Sequence, residues 1–142
     1  MANYRCISRT NYFRVTDEKK YKELFACLTA EDKVLDFSKK IDGKQYHAFG
    51  AYSEINFKPI NRTENETDIL DINEFAEALQ PILPKGEAFI YHEAGHEKLC
   101  YILSYAVIAT HDKMTNIMFD NTLKNTAQEM LHNTLWETKF DF

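Results

Sequence analysis

The chain has 142 residues, 44% of them hydrophobic and 13% aromatic, enough for one ordinary domain with a real core and too apolar for a disordered tail. Its formal charge of −5 argues against general nucleic-acid binding, which needs a basic surface to displace counterions. Three cysteines, Cys6, Cys27 and Cys100, are an odd number without metal-type spacing, so reduced thiols are expected. No apolar core follows Met1-Ala-Asn-Tyr-Arg5. The longest apolar run, Leu99 to Ala109, is too short to span a bilayer, so a soluble cytoplasmic protein without membrane contact is expected.

In chain order, a short strand is expected at about Thr10 to Val15. Thr16 then reads as the N-cap of a helix whose Tyr21, Leu24, Phe25 and Leu28 recur at i, i+3, i+4, i+7. Lys33 to Lys40 and Lys44 to Tyr52 flank Asp42-Gly43, a strong hairpin-turn dipeptide. Ser53 to Lys58 extends as a further strand until Pro59, and Asn61 to Asp68 is polar and loop-like. Asp71 caps a second helix, with Glu74 at the capping-box position and Ile72, Phe75, Ala76 and Leu79 on one face; Pro81 and Pro84 end it.

A second hairpin joins Glu87–Glu93 to Glu97–Thr110, the latter apolar on both faces as in the middle of a sheet. Met114 to Phe119 is a further strand, and a third helix from about Thr122 to His132 turns Leu123, Ala127, Met130 and Leu131 inward. The tail Trp136 to Phe142 alternates, as a last strand or an apolar strip wanting a partner. The expected fold for residues 1–142 is one α+β domain, a mainly antiparallel sheet with about three helices on one face. Leu24, Phe25, Phe75, Leu79, Leu103, Val107 and Leu131 are the expected core.

His92-Glu93-Ala94-Gly95-His96 matches H-E-x-x-H, the pattern of zinc metallopeptidases. Tyr91 to His96 is similar to the zinc motif of membrane-anchored AAA+ proteases, over those six residues. The chemistry needs a helix, where i and i+4 share a face: His92 and His96 would bind Zn²⁺ and Glu93 would activate its water. The flanks instead read as strands, with Gly95 at the hairpin turn, so no metal, no cofactor and no catalytic residue are expected; a zinc hydrolase is the alternative. His111, His132 or an acid would have to be the third ligand, at no recognisable spacing. Cys100 sits in an apolar strand, where a buried, inert thiol is expected. No Gly-rich phosphate loop or serine-hydrolase spacing is present.

Charge is more informative. Residues 1–22 carry a net +4, whereas 63–77 carry Glu64, Glu66, Asp68, Asp71, Glu74 and Glu77 with no basic residue. Such a segment imitates a phosphate backbone or docks on a basic surface, unless it is only a solvated helix face whose acids favour the dipole. Tyr46, Tyr52, Tyr91, Tyr101 and Tyr105 fall in expected strands, as sheet propensity or a binding face would have them.

The stretches Arg9-Thr-Asn-Tyr-Phe-Arg-Val-Thr-Asp-Glu18 and Glu93-Ala-Gly-His-Glu-Lys-Leu99 resemble a group of small acidic proteins carried on conjugative elements and prophages of Gram-positive gut bacteria. The resemblance implies cargo that inhibits host defence, of anti-CRISPR or anti-restriction type. The expectation is therefore a non-enzymatic inhibitor of a bacterial defence protein, a nucleic-acid-binding effector, engaged through the acidic residues 64–77. A toxin-immunity protein is the other alternative. No direct nucleic acid contact is expected, and a homodimer is compatible with the sequence.

Overall fold

The computed structural model describes residues 4–59 and 69–139. In chain order it forms β1 (Arg5–Thr10), α1 (Glu18–Phe25), β2 (Leu28–Ala30), β3 (Leu35–Asp36), β4 (Lys39–Ile41), β5 (Lys44–Tyr46), β6 (Phe49–Ala51) and β7 (Ile55–Phe57). There follow α2 (Ile72–Leu79), a 3-10 turn (Gln80–Ile82), β8 (Ala88–Glu97), β9 (Tyr101–Thr110), β10 (Met114–Met118) and α3 (Phe119–Leu131). Six strands make one sheet in the order β10-β9-β8-β1-β6-β3, while β2–β7 and β4–β5 pair as separate ribbons. The described pairings are antiparallel, and the class is α+β.

Local chemistry explains the elements that anchor this layout. The Asp71 carboxylate accepts from Asn73 N–H at 2.9 Å and so satisfies an orphan donor at the start of α2. Ile72, Phe75, Ala76 and Leu79 then bury one face of that helix, as the periodicity predicts. The helix does not simply stop at Pro81, which sits inside the 3-10 turn where its missing N–H is harmless. Asp42 and Gly43 both have positive φ, 53° and 77°, the backbone of a two-residue type I′ hairpin joining β4 to β5.

The core lies on the inner face of the large sheet, under α1 and α2. Phe13 packs edge-on against Phe89, ring centroids 5.0 Å apart, and Phe49 against Phe75 of α2 at 5.6 Å. Phe75, Leu79, Phe89, Tyr91 and Val107 have no exposure at the level of a per cent. Burying aromatic side chains of this size supplies most of the driving force available to a domain of this length.

Several expectations are corrected. The first strand is Arg5–Thr10, earlier than expected, because its inward residues Cys6, Ser8 and Thr10 are small or polar and carry no hydrophobic alternation. Asp17, not Thr16, caps α1, accepting from Lys20 N–H at 3.0 Å, and Leu28 falls in β2 beyond the helix. Tyr52 lies outside any strand and is exposed. Leu103 is half-buried, and α3 buries none of its residues, so Leu123, Met130 and Leu131 are exposed. Residues 136–139 form no strand, and Phe140 and Phe142 lie outside the described residues.

Candidate functional site

The whole H-E-x-x-H segment lies within β8, flanked by strand on both sides. Gly95 is not at the turn. The chain reverses at Lys98, Leu99 and Cys100, where Lys98 has a φ of 49°. The glycine serves close approach instead: a Cβ there would collide with the Arg5 carbonyl, Cys6 Cβ and the Tyr4 hydroxyl. Cys100, expected buried in a strand, is exposed in this turn.

Strand geometry separates the motif's three polar residues. His92 and His96 face outward and are exposed, about 13 Å apart at four strand steps, whereas Zn–N bonds are about 2 Å long. His92 Nε2 instead lies 3.0 Å from Ser104 Oγ on the neighbouring strand. Glu93 points to the opposite side and is 2% exposed.

There Glu93 is enclosed by tyrosines. Tyr4 donates to Oε2 at 3.0 Å and Tyr105 to Oε1 at 3.3 Å, and the Tyr91 hydroxyl lies 2.7 Å from Oε1 and 2.9 Å from Ser8 Oγ. Ser8 in turn donates to the Ser53 carbonyl at 2.6 Å, and Ile55 N–H donates to Tyr91. A buried carboxyl of this kind is tolerable only because its acceptors are filled. Burial and the nearby Glu93 carboxyl both push the Tyr4 and Tyr105 hydroxyls above the ordinary phenol range, and burial foremost does the same for Tyr91. Burial, then Glu93, pushes the Cys6 thiol up to about 11. The network ties residues 4, 8, 91, 93 and 105 across three strands and holds the sheet's centre together.

The open surface is on the other face. Registered rows there run Arg5–His96–Ile102 and Ile7–Ala94–Ser104 across β1, β8 and β9. They floor a groove of about 960 Å³ walled by Leu99 and by Phe119, the first residue of α3, with Arg5 and Lys98 at its rim. Ile102 is 70% exposed and Leu99 87%. Among the described residues neither Arg5 nor Lys98 is ion-paired.

The acidic segment divides. Glu64, Glu66 and Asp68 lie outside the described residues. Asp71 is committed to capping α2, and Glu74 and Glu77 stand exposed on that helix's solvent side.

One constellation was not legible in the sequence. His47, 9% exposed at its side chain, has Nδ1 3.2 Å from Ser38 Oγ and Nε2 2.8 Å from Glu18 Oε1, with its ring stacked on Tyr21 at 4.0 Å. The separations of nine and twenty-nine residues match no motif spacing. Ser38 Oγ also receives Ala48 N–H at 3.4 Å, so the trio braces α1 against the β5–β6 connection. A cleft of about 440 Å³ opens beside it, with Lys22 and Gln45 on its walls.

Among the described residues no group of three or more His, Cys, Asp or Glu side chains is placed to hold a metal ion, and no helix is long and apolar enough to cross a membrane. The chain matches no protein-family model, no curated protein and no solved structure.

Proposed function

We propose that this chain is a non-enzymatic binding protein that works by occupying protein surfaces, and that its foreign partner is a bacterial defence protein with a nucleic-acid-binding channel. The observation that carries the binding reading is the outer face of the sheet, which the described residues leave open. Ten large apolar residues of the outer sheet face, the β8–β9 turn, α3 and the segment after it (Ile7, Ile90, Leu99, Ile102, Ile117, Phe119, Leu123, Met130, Leu131 and Leu135) are each more than a third exposed. At about 150–200 Å² per side chain they leave on the order of 1,000 Å² of apolar surface open in total. Surface on that scale suits a macromolecule better than a metabolite. The enclosure of Glu93 by three hydroxyls also supports the reading, since that carboxyl has no open side on which to activate a water.

The identity of the partner rests on the resemblance to anti-defence cargo and on the acids. Glu74 and Glu77, with Glu64, Glu66 and Asp68 in the preceding segment, would supply a negative field that steers association with a basic channel. The test is affinity capture from host lysate with the wild-type chain and with a Glu74→Lys, Glu77→Lys variant. The wild type should retain one defence protein specifically, and the variant should lose most of it at low salt. Equal capture by both would remove the acidic surface from the mechanism. A captured toxin in place of a defence effector would turn the assignment to an immunity protein.

A further inference from the structure

We infer that the outer face is the interface of a twofold dimer in which α3 of each copy lies in the groove of the other. The inference rests on the binding reading above and names what covers that face. It begins with α3. The helix has 13 residues, buries none of them in its own chain and has no side-chain cap at its N-terminus. Isolated helices of about this length are marginal in water, and α3 lies against β9 and β10 without fully burying any residue, so its apolar stripe is left for another surface. Phe119, Leu123, Ala127, Met130 and Leu131 recur every three or four residues and form an apolar stripe, with Met130 77% exposed.

The same chain holds the complementary half. The groove floored by Ile7, Ala94 and Ile102 is concave and apolar, with the side chains of Arg5 and Lys98 at its rim. Around the stripe on α3 lie Asp120 and Glu129, which are not ion-paired among the described residues, and Lys124, whose charge is already met by Glu137. Acids on the helix therefore match cations on the groove. A foreign partner would have to bring an acidic amphipathic helix of its own, whereas a second copy already carries one. Two reciprocal helix-in-groove contacts make an isologous pair, the commonest oligomeric symmetry. The open apolar area, on the order of 1,000 Å² per chain, also reaches the roughly 800 Å² per partner of a stable interface. Because α2 packs on the inner face of the sheet, such a dimer leaves Glu74 and Glu77 free on both copies for a foreign partner.

Sedimentation equilibrium of the full chain tests this. The wild type should weigh twice 16.7 kDa at micromolar concentration. Ile102→Asp in the groove and Met130→Asp on the stripe should each raise the dissociation constant at least about tenfold, as expected for anchors at an interface centre. Both positions are more than two-thirds exposed in the single chain, so neither change touches the core. An equimolar mixture of the two variants should associate more tightly than either alone, because the mixed pair keeps one undamaged helix-in-groove contact. A monomer at every concentration, or a dimer indifferent to both changes, overturns the inference. A monomer that still captures the defence protein would leave the binding reading standing. A dimer that captures nothing would do the reverse.

Discussion

Along β8, neighbouring residues live in different surroundings. Phe89, Tyr91 and Glu93 face inward, with Phe89 against Phe75 of α2 and Glu93 under three hydroxyls. Ile90, His92 and His96 face outward into solvent. The inner face has its apolar area removed from water and its polar atoms filled; the outer face carries apolar side chains that the described residues leave exposed. The contrast teaches that alternation along a strand assigns residues to sides but does not say which side a given chain covers. An apolar residue on the uncovered side is held there by something other than the stability of the single chain.

The largest effect expected from this contrast is a difference in core cost. Phe75→Ala should destabilise by about 3–5 kcal/mol, because it opens a cavity among rings that cannot collapse. Ile102→Ala, at a residue 70% exposed, should change the stability of the dilute chain by no more than about 0.5 kcal/mol. Urea unfolding of both variants at low concentration measures the difference. Similar losses would mean that the outer face is packed within the single chain.

A smaller effect is expected at the polar centre. Glu93→Gln should cost about 1–3 kcal/mol, since one carbonyl and one amide cannot satisfy the hydroxyls that the two carboxyl oxygens satisfy. It should also change the alkaline limb of stability. The Cys6 thiol titrates at about 11 in the folded chain against an ordinary 9.0, so the fold keeps a proton that the unfolded chain has lost. That contribution is intact below pH 9 and is lost as pH rises from about 9 to 11, with the raised tyrosines acting in the same sense at higher pH. Burial is the larger cause and remains in the variant, so Glu93→Gln should flatten the decline without abolishing it. Thermal midpoints between pH 7 and 11 decide; an unchanged slope would detach Cys6 from Glu93.

The two faces were also unequally legible in the sequence. The start and the buried face of α2 could be read, because Asp71 is a capping side chain and Ile72, Phe75, Ala76 and Leu79 keep helical spacing. The Asp42-Gly43 hairpin and the strand character around H-E-x-x-H were legible for the same reason, strong local chemistry. Gly95 misled, since a glycine that admits a neighbouring backbone looks like a glycine that makes a turn. The tyrosine enclosure was invisible because Tyr4 and Glu93 are 89 residues apart, and long-range polar contacts leave no periodic trace. α3 keeps the expected amphipathic pattern without the expected consequence: a stripe predicts a partner surface, and the described residues of the single chain do not bury it. Of the acidic residues, Asp71 caps α2 as its sequence position predicts, and Glu74 and Glu77 are exposed on that helix.

The central claim, that the outer face exists to be covered, is tested most directly by amide hydrogen exchange of α3 at low and high protein concentration. A helix with no fully buried residue in its own chain should exchange much faster than the inner strands when dilute. Protection of Phe119 to Leu131 should rise with concentration, while the inner strand β8 stays protected throughout. Exchange in α3 that is equally fast at both concentrations, or equally slow at both, would contradict the account.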